Sequence, residues 1–261
     1  MKILVLGHKG MLGRAASKYF TENTEYEILT IDSRFGDSDF ESEIKNINVD
    51  FIINGIGKIP QKHPSDEDYT KVNTELPRFL DTLDIPTILP TTDCEFKGDI
   101  PAGESYTKSS IRDADDVYGM SKAIISKEIE ENSKNTKIVR TSIIGHEGST
   151  SLALLDWFLV QTGSIKGYTN HYWNGITTLE WVKQCRNIIE NWDNYPTLNQ
   201  LGTTDHHSKF DIISLAKEIY SKDIEIIPFE TEVSANKCMT SDVALPELRT
   251  QLTELKTFFN K

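Results

Sequence analysis

KILVLGHKGMLG, residues 2–13, is the stretch of sequence that decides the fold. The apolar run Lys2–Leu6 predicts a buried strand, and the apolar spacing over residues 10–20 predicts a helix that begins at the glycines. Gly7 would allow a tight turn, Gly10 the close approach of backbone N–H groups to a pyrophosphate, and Gly13 close packing of helix on strand. An ordinary strand-to-helix loop is the alternative, but three glycines in this context favour dinucleotide binding. The loop residues predicted to bind are Gly7, Lys9, Gly10, Met11 and Leu12.

Short apolar runs and helical patterns alternate through the first half of the chain. Each run is short enough for a buried strand of a parallel sheet, and a helix between consecutive strands makes the β-α-β connection. We therefore predict an α/β fold with a doubly wound, Rossmann-like parallel sheet. The further predicted strands are Glu27–Ile31, Asp50–Ile53, Thr87–Pro90 and Thr136–Arg140, and the predicted helices are Phe40–Ile47, Asp68–Leu83 and Val117–Glu131.

The regular alternation loosens after residue 141, where glycine- and aromatic-rich sequence follows. We expect a Rossmann domain over residues 1–144, to which 179–202 return, and a smaller C-terminal α+β substrate lobe from 145–178 and 203–261. The predicted helices in this part are Leu152–Gln161, Leu179–Ile189, Asp211–Tyr220 and Leu248–Phe258, and the predicted strands are Tyr195–Leu201 and Ile224–Pro228.

The composition restricts the classes of function. Among 261 residues, 28 Lys and Arg stand against 40 Asp and Glu, which gives a formal net charge of -12. Such a surface repels phosphate backbones and anionic lipids, so we expect neither a nucleic-acid partner nor a membrane. The three cysteines are far apart and the six histidines lack metal-ligand spacing, so we predict no disulfide framework, no metal and a cytoplasmic location. We name a homodimer as a candidate assembly of the chain.

Asp32, Ser33 and Arg34 follow the second predicted strand, where the adenosine ribose of a bound dinucleotide would lie. A carboxylate there can bond the ribose hydroxyls of NAD, whereas an arginine can pair with the 2′-phosphate of NADP. Arg34 could equally be a solvated loop arginine. Because Asp32 and Arg34 act in opposite directions, we expect a modest preference for NADPH, with NADH also accepted.

Tyr118 and Lys122 are four residues apart on a predicted helix, hence on one face and within mutual reach. A free phenol has a pKa near ~10, and a neighbouring ammonium group favours the phenolate form. A surface Tyr-Lys pair is the alternative. The position of the pair after a late strand of an α/β sheet favours acid-base catalysis.

Thr91, Thr92 and Asp93 end the predicted strand Thr87–Pro90. The carboxyl ends of parallel strands are where an open α/β sheet binds its ligands, and a hydroxyl there can bond a carbonyl. A helix N-cap or a polar loop cluster is equally compatible with these residues.

The glycine loop, Thr92-Asp93 and the Tyr118–Lys122 segment occur in this order in one chain, and in this the sequence resembles the extended short-chain dehydrogenase/reductase family. Within that family it is most similar to reductases of nucleotide-linked 4-keto-6-deoxy sugars, the dTDP-4-dehydrorhamnose reductase group. The similarity is loose beyond residue 145. The other matching segments are Asp39-Phe40, Asn54-Gly55-Ile56, Val72-Asn73-Thr74 and Arg140-Thr141-Ser142.

The resemblance implies that hydride passes from NAD(P)H to C4 of the sugar. It makes Tyr118 the proton donor, Lys122 the residue that holds the nicotinamide ribose and tunes Tyr118, and Thr92 the residue that bonds the sugar carbonyl. It places Asp39 and Phe40 near the adenine and Asn54, Gly55, Ile56 and Asn73 along the cofactor trench. The predicted substrate contacts are Thr92, Asp93, Tyr118, Trp173 and Asn174.

Three positions depart from the pattern of the family on the sugar side. Cys94 stands where an aromatic residue usually follows Thr-Asp, Ile143 stands where Trp usually follows Arg-Thr-Ser, and residues 174–178 lack the usual Pro-Thr. The sugar and its nucleotide can therefore differ from dTDP-4-dehydrorhamnose.

Two other functions stay open. A 4-epimerase or 4,6-dehydratase of this fold keeps its nicotinamide bound, but the Asp-Glu pair of dehydratases is interrupted here as Asp93-Cys94-Glu95 and the chain is short. The regulatory subunit of methionine adenosyltransferase, a non-catalytic protein, also resembles this group. The joint presence of Thr92, Tyr118 and Lys122 favours catalysis.

A nucleotide-linked substrate needs a local cationic patch on an acidic surface, and we name Lys58, Arg140 and Lys209 as candidates. Trp173-Asn174-Gly175 predicts either a tight turn, since Asn-Gly favours positive φ, or an aromatic surface on which a base stacks.

Overall fold

Two compact units make up residues 1–260, the part of the chain that this computed structural model describes. Unit 1 consists of Met1–Thr91, Asp115–Val139 and Val182–Asn199. Unit 2 consists of Thr92–Ala114, Arg140–Trp181 and the stretch from Gln200 onward. The predicted division into a cofactor domain and a substrate lobe concerns function and stays a prediction.

The regular elements are numbered in chain order. The strands are β1 (Lys2–Leu6), β2 (Glu27–Leu29), β3 (Phe51–Asn54), β4 (Thr87–Thr91), β5 (Thr136–Arg140), β6 (Ile143–Ile144), β7 (Ser164–Tyr168), β8 (His171–Trp173), β9 (Ile176–Thr177), β10 (Leu198–Gln200), β11 (His207–Ser208), β12 (Glu225–Phe229) and β13 (Ala235–Asn236). The helices are α1 (Met11–Asn23), α2 (Phe40–Asn46), α3 (Asp66–Tyr69), α4 (Leu76–Asp81), α5 (Val117–Asn132), α6 (Leu154–Val160), α7 (Thr178–Glu190), α8 (Lys209–Ile219) and α9 (Leu248–Phe259).

A six-stranded sheet has the order β10-β5-β4-β3-β1-β2. Strand β1 pairs in parallel with β2 and β3, and β3 pairs in parallel with β4. The chain thus extends the sheet from β1 to one side with β2 and then to the other side with β3, β4 and β5. The predicted doubly wound, Rossmann-like α/β fold is confirmed. In open α/β sheets, ligands bind outside the carboxyl ends of the strands at such a reversal, here between β1 and β3.

Apolar side chains from the strands and from the helices that cover them form two clusters in unit 1. Burying such a side chain contributes about 1.5–3 kcal/mol to the free energy of folding, so the two clusters stabilise the arrangement of strands and helices in unit 1. The larger cluster contains Leu4, Leu6, Ile31, Phe40, Ile44, Ile52, Leu76 and Leu80, and the smaller one contains Leu89, Ile125, Ile129, Ile138 and Leu198.

The prediction of a helix over residues 68–83 is confirmed as far as Asp81, but the segment is not one regular α-helix, because a π-helical segment, Thr70–Glu75, lies between α3 and α4. The amide of Leu76 donates to the carbonyl of Lys71, five residues earlier. Pro77 follows directly, and in a regular helix its ring would clash with the carbonyl four residues before it. The wider π turn accommodates this proline.

Short strands in unit 2 form a three-stranded sheet, β11-β8-β13, and the pairs β12-β7 and β6-β9. Apart from β12, none of these strands was predicted. Several have only two residues, and their partners lie far away along the chain, so no local periodicity marks them. The three predicted helices of this unit are confirmed as α6, α8 and α9, with bounds shifted by a few residues.

Three further features can be stated for residues 1–260. No helix is long and apolar enough to span a bilayer. Cys94, Cys185 and Cys238 are free thiols. No group of three or more His, Cys, Asp or Glu side chains is arranged to hold a metal ion.

Candidate functional site

The glycine-rich loop after β1 lies at the reversal of strand order. Gly7 has φ +69°, a left-handed conformation that glycine adopts without strain, so the chain turns tightly there. A Cβ on Gly13 would lie 2.3 Å from the Gly7 carbonyl oxygen, and a Cβ on Gly55 would lie 2.8 Å from the Gly13 nitrogen. Helix α1 therefore approaches the ends of β1 and β3 at a distance that only glycines allow.

The N-terminus of α1 carries no competing negative charge. Its N-cap, Gly10, offers no side-chain acceptor, and the first turn contains no acidic residue. The Gly10 N–H donates to the Gly7 carbonyl oxygen over 2.8 Å, and the helix starts with Met11 and Leu12. First-turn N–H groups and the helix dipole together bind phosphates. The loop therefore fits the pyrophosphate of a dinucleotide.

Lys9 and Asp32 form an exposed ion pair beside this loop. The distance from Lys9 Nζ to Asp32 Oδ1 is 2.6 Å, and His8 Nε2 lies 3.5 Å from the same oxygen. The hydrogen bond and positive charge of Lys9 lower the pKa of Asp32. Because Lys9 partly compensates its charge, Asp32 repels a nearby phosphate less than the sequence suggests.

Ser33 and Arg34 lie in a loop that two carboxylates hold. Ser33 Oγ donates to Glu43 Oε2 over 2.5 Å, and the backbone N–H of Arg34 donates to Asp37 Oδ2 over 2.7 Å. The Arg34 side chain is exposed. Its guanidinium group is thus available to a ligand, while the Ser33 hydroxyl is engaged.

Asp39 and Phe40, predicted near the adenine, differ in exposure. Asp39 is exposed at the N-cap position of α2 and makes no side-chain capping bond. The Phe40 ring is fully buried, 5.6 Å from the ring centre of Phe35. Phe40 therefore offers no exposed surface to an adenine, and its predicted contact stays a prediction.

The end of β3 supplies the next predicted cofactor residues. Asn54 is fully buried, and its Oδ1 accepts the Ile56 N–H over 3.0 Å. Among residues 1–260, Asn54 Nδ2 has no hydrogen-bond acceptor. Gly55 packs against the glycine loop, as described above. A buried amide donor thus lies directly beside the reversal of strand order.

Asn73 connects this edge to α5. Its Oδ1 accepts the Lys58 N–H over 2.8 Å, and its Nδ2 donates to the Lys58 carbonyl over 3.0 Å and to Ser121 Oγ over 3.2 Å. Thr74 Oγ1 donates to the Ser121 carbonyl over 3.1 Å. Both side chains come from the π-helical segment, and such segments are frequent at functional sites. In these contacts Asn73 acts as a positioning residue.

Tyr118 and Lys122 lie in the first turns of α5. Asp116 caps this helix by accepting the Gly119 N–H over 2.8 Å. Tyr118 is half-buried, with its ring centre 5.9 Å from that of Tyr69, a neighbour that the sequence did not reveal. Lys122 is buried, and its Nζ lies 3.5 Å from the Pro90 carbonyl oxygen, close to the carboxyl end of β4. The structure thus brings the ammonium group to the edge of the sheet where ligands bind.

Thr92 and Asp93 begin unit 2 directly after β4 and are both buried. Thr92 Oγ1 donates to Asp93 Oδ1 over 2.9 Å and accepts the Cys94 N–H over 3.1 Å. The hydroxyl therefore caps the single 3-10 turn Asp93–Glu95, which was the structural alternative. To donate to a substrate carbonyl, Thr92 would have to exchange its bond to Asp93.

A buried charge network that the sequence did not reveal surrounds Glu95. Glu95 Oε2 lies 2.9 Å from Arg112 Nε and 2.8 Å from Arg140 Nη2. Arg140 Nη1 also donates to Gln200 Oε1 over 3.1 Å, and the guanidinium lies 5.3 Å from the ring centre of Phe96. No local pattern predicts such partners, because they come from distant parts of the chain.

The three candidates for a cationic patch have different environments. Arg140 is fully buried in the Glu95 network, so its prediction as a surface cation is wrong. Lys58 Nζ lies 3.5 Å from Asp68 Oδ1 in unit 1. Lys209 is half-buried in unit 2, at the start of α8.

Asn174 joins three segments of unit 2. Its Nδ2 donates to the carbonyls of Thr203 over 2.8 Å and Met239 over 2.7 Å, and its Oδ1 accepts the Met239 N–H over 2.9 Å. Neither Asn174 nor Gly175 has positive φ, so the predicted positive-φ turn is wrong. Only 5% of Trp173 is exposed, which leaves little ring surface for a base. The substrate contacts of Trp173 and Asn174 stay predictions.

The sequence model of the NAD-dependent epimerase/dehydratase family matches residues 3–147, more than half of the chain. The chain belongs to this family. A nicotinamide cofactor agrees with the family and with the glycine loop.

Solved structures share the fold along the whole chain. A dTDP-4-dehydrorhamnose reductase from Clostridium acetobutylicum is 17% identical, with a TM-score of 0.82 and 100% of both chains covered. One from Bacillus anthracis in complex with NADP is 16% identical, with a TM-score of 0.83 and 98% of both chains covered. A dTDP-glucose 4,6-dehydratase from Bacillus anthracis in complex with NAD is 13% identical, with a TM-score of 0.78, covering 100% of this chain and 96% of that one. No curated protein sequence matches the chain.

Proposed function

We propose that this chain is an NAD(P)H-dependent reductase of a nucleotide-linked 4-keto-6-deoxy sugar. The observation that carries the proposal is the position of Lys122. Its buried ammonium group lies 3.5 Å from the Pro90 carbonyl oxygen, at the edge of the sheet where the glycine loop lies, and Tyr118 stands one turn earlier on the same helix. A dinucleotide site beside an acid-base pair is what carbonyl reduction requires.

Unit 1 would hold the cofactor. The glycine loop and the first turn of α1 would bind the pyrophosphate, Asp32 and Arg34 would face the adenosine ribose, and Lys122 would bond the nicotinamide ribose. Asn54, with its buried amide donor, would line the trench between them. When bound, the reduced nicotinamide supplies the hydride.

The side chains of this protein would manage the proton and the charge on oxygen. As hydride adds to C4 of the sugar, Tyr118 donates its phenolic proton to the C4 oxygen, which becomes a hydroxyl. The Lys122 ammonium stabilises the resulting phenolate until it takes a proton from solvent. By the family resemblance, Thr92 would bond the carbonyl oxygen and orient it. General acid catalysis of this kind increases the reaction rate by ~10²- to 10⁴-fold.

A modest preference for NADPH is part of the proposal. Arg34 is exposed and Lys9 partly compensates the charge of Asp32, so the charges near residues 32–34 include an accessible guanidinium group and a carboxylate that repels a phosphate only weakly. Such a set favours a 2′-phosphate. The cytoplasmic location and the homodimer remain predictions from the sequence.

An epimerase or a dehydratase of the same fold is the principal alternative. Glu95, the acid in the interrupted Asp93-Cys94-Glu95 segment, is fully buried and faces two arginines. A carboxylate that is buried and engaged by two arginines in this way has no access to a sugar. This disfavours a dehydratase that relies on a paired Asp and Glu.

The test is product analysis with a C4-deuterated cofactor. We expect deuterium at C4 of the sugar and one cofactor oxidised per sugar, across a panel of dTDP-, UDP- and GDP-linked 4-keto-6-deoxy sugars. Conversion without net cofactor oxidation would assign the chain to the epimerases. Cofactor binding without conversion of any keto sugar would favour a regulatory subunit.

A further inference from the structure

Two half-buried lysines in unit 2, Lys209 and Lys237, stand on either side of one strand. Strand β8 is the middle strand of the sheet β11-β8-β13, and its Tyr172 pairs with Ser208 on one side and with Asn236 on the other. Each lysine directly follows one of these two partners. Because β11 runs antiparallel and β13 parallel to β8, Lys209 follows toward His171 and Lys237 toward Trp173. With neighbouring strands about 4.7–4.9 Å apart and a rise of about 3.4 Å per residue, the two lysines start from backbone positions roughly 12 Å apart.

The local structure holds both lysines in place. Ser208 and Asp211 form a capping box at the start of α8, with the Asp211 N–H 3.1 Å from Ser208 Oγ, which fixes the backbone of Lys209. The Lys237 stem runs across Gly98, where a Cβ would lie 2.7 Å from Lys237 Cγ. The Asn236 N–H donates to the Gly98 carbonyl over 2.7 Å. The backbone of Lys209 and the stem of Lys237 are therefore fixed by neighbouring structure.

The two ammonium groups lack compensating charge at contact distance. Within residues 1–260, neither one makes a hydrogen bond or an ion pair, whereas Lys9 and Lys108 each contact a carboxylate. Burial lowers the pKa of Lys209; Asp93 and Cys94 act in the opposite direction, and Lys237 adds to the lowering. Two half-buried cations that repel each other are unfavourable by themselves, and an anion between them would remove this cost.

We propose that Lys209 and Lys237 bind the two phosphate groups of a nucleoside diphosphate. In a chain of net charge -12, a pair of cations that make no ion pair within residues 1–260 is a local feature that suits a small dianion and is too small for a nucleic-acid backbone. The assignment of this diphosphate to a sugar nucleotide rests on the proposed function. The anion site itself does not.

The experiment measures binding of dTDP, UDP, thymidine and inorganic pyrophosphate by calorimetry. The variants Lys209→Met and Lys237→Met keep the length of the side chain and remove its charge. Lys217→Met is the matched control, because Lys217 is exposed on the same helix, α8. A hydrogen bond to a charged group corresponds to about 10- to 100-fold in affinity. Lys209→Met and Lys237→Met should therefore each lower the affinity for dTDP, UDP and pyrophosphate by that factor. Thymidine binding should not change, and Lys209→Arg should restore most of the loss.

The control measurements separate folding from binding. Affinity for NADPH should be unchanged in all four variants, since the proposed cofactor residues lie in unit 1. The thermal midpoint should not fall in any of them, and it should rise where a Met variant removes one of the two cations that repel each other. Unchanged dTDP affinity in both Met variants, an equal loss in Lys217→Met, or absence of nucleoside diphosphate binding by the wild type would overturn the proposal. If both Met variants lose affinity for dTDP but the wild type reduces no keto sugar, the proposed anion site would stand. The proposed reductase function would then be contradicted.

Discussion

The β1–α1 junction and the segment Thr92–Glu95 are both turns that follow a buried parallel strand, yet they are fixed in different ways. At the first turn, the geometry comes from Gly7, Gly13 and Gly55, whose missing side chains let α1 approach the sheet. At the second turn, it comes from side-chain bonds, with Thr92 capping the turn and Glu95 held by two arginines. A site built from backbone can be recognised locally, whereas one built from polar side chains depends on partners far along the chain.

The largest expected effect concerns Tyr118, whose position one turn before Lys122 follows, like the glycine loop, from a local sequence signal. Tyr118→Phe should lower turnover by ~10²- to 10⁴-fold and leave cofactor binding nearly intact, because the hydroxyl acts only when a proton moves. Steady-state kinetics and NADPH titration measure the two properties. Tyr69→Phe is the matched control, since Tyr69 contacts Tyr118 without a proposed chemical role. A wild-type rate in Tyr118→Phe would remove the catalytic assignment.

The next effect tests the side-chain network of unit 2. Arg140→Ala should lower the free energy of unfolding by about 3–5 kcal/mol, because it leaves Glu95 buried with one arginine fewer. Chemical denaturation measures the change. Arg78→Ala breaks an exposed pair with Glu128 and should cost at most about 1 kcal/mol. The double variant Glu95→Leu/Arg140→Met should recover part of the loss. Equal effects of the two arginine variants would contradict the buried network.

A smaller change should disturb the backbone-built junction. Gly13→Ala would place a Cβ 2.3 Å from the Gly7 carbonyl oxygen, and overpacking of this kind costs about 1–3 kcal/mol. Because α1 must shift, affinity for NADPH should fall as well. Gly57→Ala serves as the stability control, since its Cβ would meet its nearest neighbour at an ordinary 3.6 Å. A Gly13→Ala variant with wild-type stability and affinity would show that the junction tolerates a side chain.

The smallest expected effect concerns cofactor choice. Arg34→Ala should raise KM for NADPH by about tenfold, which corresponds to about 1.4 kcal/mol, and leave KM for NADH nearly unchanged. The reason is that only NADPH offers a 2′-phosphate to the exposed guanidinium group. Initial-rate kinetics with both cofactors measure the difference. If both KM values rise equally, Arg34 contributes nothing to the preference, and Lys9→Ala becomes the informative variant.

The sequence alone determined the α/β alternation up to β5 and the placement of two groups of candidate site residues. Buried strands of a parallel sheet are continuous apolar runs, and a dinucleotide loop needs its glycines directly between a strand and a helix, so both signals are contained in short segments. The spacing of Tyr118 and Lys122 is likewise local, and it put both residues on one face of α5. Their roles stay predictions, because chemistry depends on more than spacing.

Only the tertiary structure decided the rest. It paired the short strands of unit 2, inserted the π-helical segment before Pro77, turned Asn174 into a structural connector and buried Arg140 beside Glu95. It also brought Lys209 and Lys237 to opposite sides of β8. Each of these features depends on contacts between segments that are far apart along the chain. Hydrogen bonds and ion pairs are specific to a partner, but the residues that make them carry no periodic signal along the chain.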